Sequence, residues 1–81
     1  MDIQAQPVAG TDLTLMDISE TCRFFGGANS PLNPATLYRG IKSGKYPAPV
    51  KIGQGTSRWV RGECEAALRK MIADRDANKA A

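Results

Sequence analysis

The sequence contains no histidine among its 81 residues, and it has only two cysteines, Cys22 and Cys64. They do not form a C-x-x-C pair, and no histidine is present to complete a zinc site. We interpret both thiols as small buried hydrophobes in a reducing compartment rather than as disulfide or metal partners. Without histidine there is no His-based triad or dyad, and no phosphate loop or carboxylate pair replaces it. We therefore expect a protein that is not an enzyme and uses no cofactor or metal.

Long hydrophobic runs are also absent. No stretch approaches the roughly 18 apolar residues of a membrane span, and the first four residues lack the layout of a signal peptide. We expect a cytoplasmic protein without membrane contact. The length suits one small domain, which we place at residues 14–75. Residues 1–13 have no apolar period and are predicted to be a flexible tail, and residues 76–81 are predicted to fray.

Acidic residues are missing from the middle of the chain, between Glu20 and Glu63, although the net charge is only +3. The segment therefore carries seven positive charges and no negative one: Arg23, Arg39, Lys42, Lys45, Lys51, Arg58 and Arg61. A charge block of this kind is often only a solvated face. Its one-sided segregation nevertheless favours a polyanionic partner.

A first helix is predicted over residues 17–27. Asp17 or Ser19 is available as its N-cap, and Gly26 is the expected stop. The i, i+4, i+7 spacing predicts a buried stripe of Ile18, Cys22 and Phe25. The turn composition of residues 26–32 then indicates that a second helix follows closely.

That second helix, over residues 33–44, has a signal at each end. Asn33 suits the cap, Pro34 the first helical position, and Gly44 the stop. Leu37 and Ile41 lie four residues apart and are expected in the core. The other side carries hydroxyls and cations without an acid, a composition suited to phosphates and base edges: Thr36, Tyr38, Arg39 and Lys42.

A small β-hairpin follows two prolines that impose an extended path. Its strands are predicted at residues 50–52 and 57–61, around the turn residues 53–55. We expect Val50, Ile52 and Trp59 to form its apolar side. Lys51, Arg58 and Arg61 would then project towards solvent or a ligand, although Arg61 has an alternative partner in Glu65.

The last predicted helix runs from Glu63 to about Arg75, after Gly62. Acids in its first turn and cations later suit the helix dipole. Its apolar residues follow the helical period and indicate a core-facing stripe: Cys64, Ala67, Leu68, Met71 and Ile72. The predicted fold is thus mainly α with a small hairpin, namely three helices plus a wing.

Residues 15–71 resemble the AlpA family of small phage-type regulators, which is related to excisionase and MerR-type winged helix-turn-helix domains. The resemblance is carried by three linked segments in order: Ala35 to Gly44, Tyr46 to Gly53, and Ser57-Arg58-Trp59 leading into Glu63-Cys64-Glu65. It implies a helix-turn-helix whose second helix enters the major groove, followed by a hairpin at the backbone or minor groove. The turn before Asn33 is several residues longer than is typical of the family.

Carried over by position, the resemblance matches Thr36, Tyr38 and Arg39 to the helix face, Lys42 to the basic flank, and Arg58 with Trp59 to the wing. From the residues alone, the planar guanidinium of Arg39 can bond O6 and N7 of a guanine together. Arg39 is therefore expected to contact either a base or a phosphate. Tyr38 either bonds a phosphate or packs its ring over the hairpin. The three lysines favour phosphate contact: Lys42, Lys45 and Lys51. Arg58 favours the minor groove, and Arg61 either contacts a phosphate or pairs with Glu65.

The expected function is sequence-specific binding of double-stranded DNA to regulate prophage or mobile-element genes. One alternative is an excisionase-like architectural factor that bends attachment-site DNA for recombination. A second alternative is a protein-interaction adaptor or antirepressor. Besides DNA, the expected partners are a second copy binding cooperatively, a phage integrase or RNA polymerase.

Overall fold

A computed structural model describes residues 12–80 of the chain, and the side chains of residues 12–78. The elements in order are β1 (Leu15–Met16), α1 (Ile18–Gly26), α2 (Pro34–Lys42), β2 (Val50–Gly53), β3 (Thr56–Val60) and α3 (Arg61–Ala80). The three predicted helices and the hairpin are confirmed. The added strand β1 makes the fold a mixed one, with three helices and a three-stranded antiparallel sheet. No helix in the described range is long and apolar enough to cross a membrane.

The sheet has the strand order β1-β3-β2, so the hairpin strand β3 lies in the centre. Met16 is opposite Trp59, and Lys51 is opposite Ser57. Because side chains alternate along a strand, these four residues share one face, which we call the inner face. Trp59 and Met16 place that face against the core. The outer face carries the alternate residues: Leu15, Val50, Arg58 and Val60.

Helix α1 begins at a capping box. The Asp17 carboxylate accepts from the Glu20 backbone N–H at 2.8 Å, and the Glu20 carboxylate accepts from the Asp17 N–H at 3.0 Å. Asp17 is therefore the N-cap, and the alternative cap Ser19 lies inside the helix. Helix α1 ends at Gly26, as predicted, and the next residue, Gly27, has a positive φ of 107° and donates its N–H to the Arg23 carbonyl.

Helix α2 has the predicted ends. The Asn33 side chain accepts from the Ala35 N–H at 2.8 Å, Pro34 opens the helix, and Gly44 has a φ of 87° just beyond the last turn. Leu37 is fully buried, and Ile41 packs against the core from its edge. The core-facing side of α2 is thus the one that the sequence predicts.

The core lies between the inner face of the sheet and the helices. Trp59, Leu37, Thr21 and Cys64 are almost completely buried. The Trp59 indole Nε1 donates to the Pro47 carbonyl at 3.1 Å, which ties the loop before β2 to the central strand. Both cysteines are buried, as predicted, and their thiols are free. Ile18, Cys22 and Phe25 lie in or against this core, and Thr21 joins them with its hydroxyl bonded to the Asp17 carbonyl at 2.8 Å.

Three predicted core positions are wrong. Val50 and Ile52 are 44% and 52% exposed, because Val50 pairs with Arg58 on the outer face and the register shifts between Lys51 and Gly53. Ile72 is 42% exposed. It lies away from the helix side that buries Cys64.

The bounds of the last helix and of the tails also differ from the prediction. Helix α3 begins at Arg61 and continues to Ala80, beyond the expected end near Arg75. Most of the predicted N-terminal tail, residues 1–11, lies outside the described residues. Asp12 is held in place, since its carbonyl accepts from the Gly62 N–H at 2.8 Å.

Candidate nucleic-acid interface

The exposed side of α2 is formed by four residues at i, i+3, i+4 and i+7, which we call the α2 face: Ala35, Tyr38, Arg39 and Lys42. The caps and the buried Leu37 and Ile41 fix its orientation, because they turn the opposite side of the helix into the core. Thr36 is half-buried at the border of this face. Sequence reasoning missed Ala35, whose i, i+4, i+7 spacing with Arg39 and Lys42 was available as a signal.

Arg39 lies near the centre of the α2 face and is exposed. Its guanidinium Nη2 donates to the Thr36 hydroxyl Oγ1 at 3.3 Å, across one helical turn. This bond uses one donor of the guanidinium fork, and the fork has further donors for an external acceptor. Thr36 thus contributes to the site by restraining Arg39.

Tyr38 lies on the hairpin side of the α2 face. Its ring meets the Trp59 indole edge-on, with centroids 6.2 Å apart and an interplanar angle of 62°. The side chain is still 48% exposed. Of the two roles left open by the sequence, ring packing over the hairpin is therefore observed, and it connects α2 with β3.

The loop after α2 holds Lys45 next to the end of the helix. The Gly40 carbonyl accepts from the backbone N–H groups of Lys45 at 2.7 Å and Tyr46 at 3.2 Å. The Tyr46 ring is buried, and the Lys45 ammonium lies 5.5 Å from its centroid. The loop therefore holds Lys45 just beyond the C-terminal end of α2, beside the Tyr46 ring that covers Gly40.

The two hairpin cations lie on opposite faces of the sheet. Lys51 is exposed and shares the inner face with Ser57 and with Trp59, whose indole meets the Tyr38 ring of α2. Arg58 lies on the outer face beside Val50, and its Nη1 donates to the Ser57 carbonyl at 2.9 Å. Lys51 therefore lies on the sheet face that carries Trp59, whereas Arg58 lies on the opposite face of the hairpin.

Arg61 is engaged within the protein. Its Nε donates to the Glu65 carboxylate at 3.2 Å and lies 3.9 Å from the Asp12 carboxylate. The guanidinium carbon also stands 5.4 Å from the Phe24 ring centroid. Arg61 thus takes the alternative that the sequence offered, the pair with Glu65.

Ion pairs among the described residues involve only one cation of the acid-free segment, Arg61, which pairs with Glu65. Among the described residues, carboxylate pairs engage only cations of α3: Arg61, Lys70 and Arg75. Within that range, no carboxylate lies in ion-pairing distance of the interface cations of α2, the loop and the hairpin: Arg39, Lys42, Lys45, Lys51 and Arg58. These cations are available to an external anion.

Comparisons with known proteins give no match, whether with family models, curated proteins or solved structures.

Proposed function

We propose that this chain is a sequence-specific double-stranded DNA-binding protein of the winged helix-turn-helix class. In this proposal α1 and α2 form the helix-turn-helix, and the β2–β3 hairpin is the wing. The observation that carries the proposal is the α2 face, an exposed helix side with Arg39 at its centre and no carboxylate paired to it among the described residues.

The dimensions of α2 support the proposal. A nine-residue helix is about 13 Å long and about 10–12 Å wide with its side chains, and the B-DNA major groove is about 12 Å wide. Ala35 adds little bulk on the approaching side. Arg39 then reaches base edges, and Lys42 and Lys45 lie where the helix end meets the phosphate backbone.

The contacts to Tyr38 support a fixed spacing between the helix and the wing. Because Tyr38 packs on Trp59, and Trp59 bonds to Pro47, α2 and the hairpin are held as one unit. Lys51, on the sheet face that carries Trp59, contacts the phosphates that flank the groove. Arg58, on the outer face, contacts the adjacent minor groove. In this proposal Arg61 does not contact DNA, because its guanidinium is already paired with Glu65.

We propose that the chain is a member of the AlpA family and that its biological role is regulation of prophage or mobile-element genes. It is supported by the three ordered segments from Ala35 to Glu65.

The proposal is tested by measuring duplex affinity at several salt concentrations, after selecting a preferred sequence from a random duplex pool. Binding should weaken with salt, with a log–log slope of about −0.9 for each phosphate neutralised. Arg39→Ala should reduce the difference in binding free energy between the selected and scrambled duplexes by about 1–3 kcal/mol. Lys51→Ala should weaken both duplexes alike and reduce the slope by about 1.

Lys70→Ala is the matched control, because it removes the same charge from α3, where Lys70 pairs with Asp74 at 3.4 Å. It should leave affinity and slope close to those of the wild type. Absence of salt-linked duplex binding would overturn the proposal and favour a protein-interaction adaptor. Loss of discrimination in Lys51→Ala but not in Arg39→Ala would overturn the assignment of roles.

A further inference from the structure

Helix α3 carries a second exposed surface that DNA binding does not use. Leu68 is half-buried and Ile72 is 42% exposed, and both lie along a groove beside Phe24, with Glu65 and Arg69 at its margins. The core-facing side of the same helix is occupied by Cys64 and Met71. Leu68 and Ile72 are therefore apolar residues next to the core-facing side rather than on it.

Three residues that line this groove have a coiled-coil spacing, which Arg75 continues beyond it. Glu65, Leu68, Ile72 and Arg75 are separated by three, four and three residues, which places them in one seam along α3. We call these four residues the α3 seam. Two apolar residues lie at its centre, an anion lies at its N-terminal end, and a cation lies at its C-terminal end.

We propose that the α3 seam binds a second copy of this chain in an antiparallel, two-fold symmetric dimer. In that arrangement Leu68 of each copy lies opposite Ile72 of the other, and Glu65 lies opposite Arg75. The charges decide the direction of pairing. Parallel packing sets Glu65 against Glu65 and Arg75 against Arg75, whereas antiparallel packing makes two opposite-charge contacts. The seam is thus self-complementary in one orientation, as an isologous interface requires.

The charged ends of the seam are accessible for this pairing. The Arg75 side chain is 69% exposed and contacts only its neighbour Asp76, at 2.9 Å, among the described residues. The Glu65 carboxylate is one-third exposed and accepts from Arg61 at 3.2 Å. A carboxylate has two oxygens and several acceptor positions, so Glu65 receives a second guanidinium while keeping the first.

Sedimentation equilibrium of the full chain without DNA tests the dimer independently of the proposed function. The average mass of the wild type should rise reversibly with concentration towards twice the monomer mass. Ile72→Glu should leave a folded monomer, because it buries a charge at the centre of the interface. Ala73→Glu is its matched control. It adds the same charge one residue away, on an exposed position outside the seam, and should dimerise like the wild type.

The direction of pairing is tested by charge exchange. Arg75→Glu should weaken dimerisation by about tenfold, since two symmetric contacts change from attractive to repulsive. Lys70→Glu makes the same charge change on the opposite side of α3 and should have no such effect. The double variant Glu65→Arg with Arg75→Glu should regain most of the lost affinity, because the opposite-charge contacts are restored with exchanged signs.

A wild type that stays monomeric at all concentrations would overturn the proposal. Equal effects of Ile72→Glu and Ala73→Glu, or of Arg75→Glu and Lys70→Glu, would also overturn it. Dimerisation of the double variant no better than that of Arg75→Glu would exclude the antiparallel pairing. Each of these results leaves the duplex-binding proposal unaffected, because DNA is absent from the measurement.

Discussion

Gly40 of α2 lies directly beneath the Tyr46 ring. A Cβ atom at Gly40 would stand only 2.3 Å from Tyr46 Cδ2, well inside van der Waals contact. The absence of a side chain therefore lets the loop after α2 fold back over the helix. Glycine in a helix interior costs about 1 kcal/mol relative to alanine, and burial of the tyrosine ring offsets that cost.

Gly40→Ala should consequently destabilise the protein by about 1–3 kcal/mol, despite the better helix propensity of alanine, because the added methyl displaces the Tyr46 ring. Urea denaturation followed by circular dichroism measures the change. Gly53→Ala is the control, since its Cβ would meet only Thr56, at an ordinary 3.8 Å. If both variants had the stability of the wild type, the close approach of Gly40 and Tyr46 would be contradicted.

Trp59→Phe should lower the free energy of unfolding by about 1–3 kcal/mol. The change removes the indole Nε1–H, leaves the Pro47 carbonyl without that donor, and opens space in the core. Tyr38→Phe keeps its ring against residue 59 and loses only an exposed hydroxyl, so its effect should stay within about 0.5 kcal/mol. The same urea titration measures both variants, and equal stability of the two would contradict the role given to the indole bond.

Asp17→Ala should cost about 1 kcal/mol, because it removes the acceptor that caps the Glu20 N–H and breaks the reciprocal capping box. Ser19→Ala, two residues further along, removes a hydroxyl inside the helix and should have a much smaller effect. The two midpoints of thermal unfolding separate these outcomes. A larger loss in Ser19→Ala than in Asp17→Ala would contradict the assignment of Asp17 as the N-cap.

Burial raises the pKa of the Cys64 thiol from 9.0 to about 11, and the nearby Glu63 carboxylate adds to this shift. Below pH 9 the thiol is protonated in both states. Between pH 9 and 11 the unfolded chain releases the proton and the folded chain retains it, so stability falls as pH rises.

Across that window, the Cys64 contribution to the free energy of unfolding should fall by on the order of 2 kcal/mol. Urea titrations at about pH 8 and about pH 10.5 measure the loss, and subtracting the same titrations of Cys64→Ala isolates this thiol from other groups. If the free energy of unfolding had the same pH dependence in the wild type and in Cys64→Ala, the raised pKa of Cys64 would be contradicted.

The helices could be predicted from the sequence because their determinants are local. Asp17, Asn33 and Pro34 define helix starts through their own side chains, and Leu37 and Ile41 define the buried side of α2 by spacing alone. The same local pattern predicted three of the four residues of the α2 face, namely Tyr38, Arg39 and Lys42.

The errors concern contacts between distant parts of the chain. The pairing of β1 with β3 joins Leu15 to Val60, and no local pattern specifies it. The hairpin alternation predicted Val50 and Trp59 on one side. In the observed register Val50 is opposite Arg58, so it shares a face with Arg58 rather than with Trp59. Tyr46 was missed for the same reason, because its burial depends on a gap that Gly40 provides in another element.

Trp59 is the chain's single tryptophan, and its indole is almost completely buried where the hairpin, the Pro47 loop and Tyr38 meet. Excited at wavelengths that the two tyrosines do not absorb, its ultraviolet emission therefore reports one location. Any event that separates the wing from α2 exposes this indole to water and moves the emission maximum to longer wavelength. The molecule thus carries an intrinsic optical reporter of the spacing between its two proposed DNA-contacting elements.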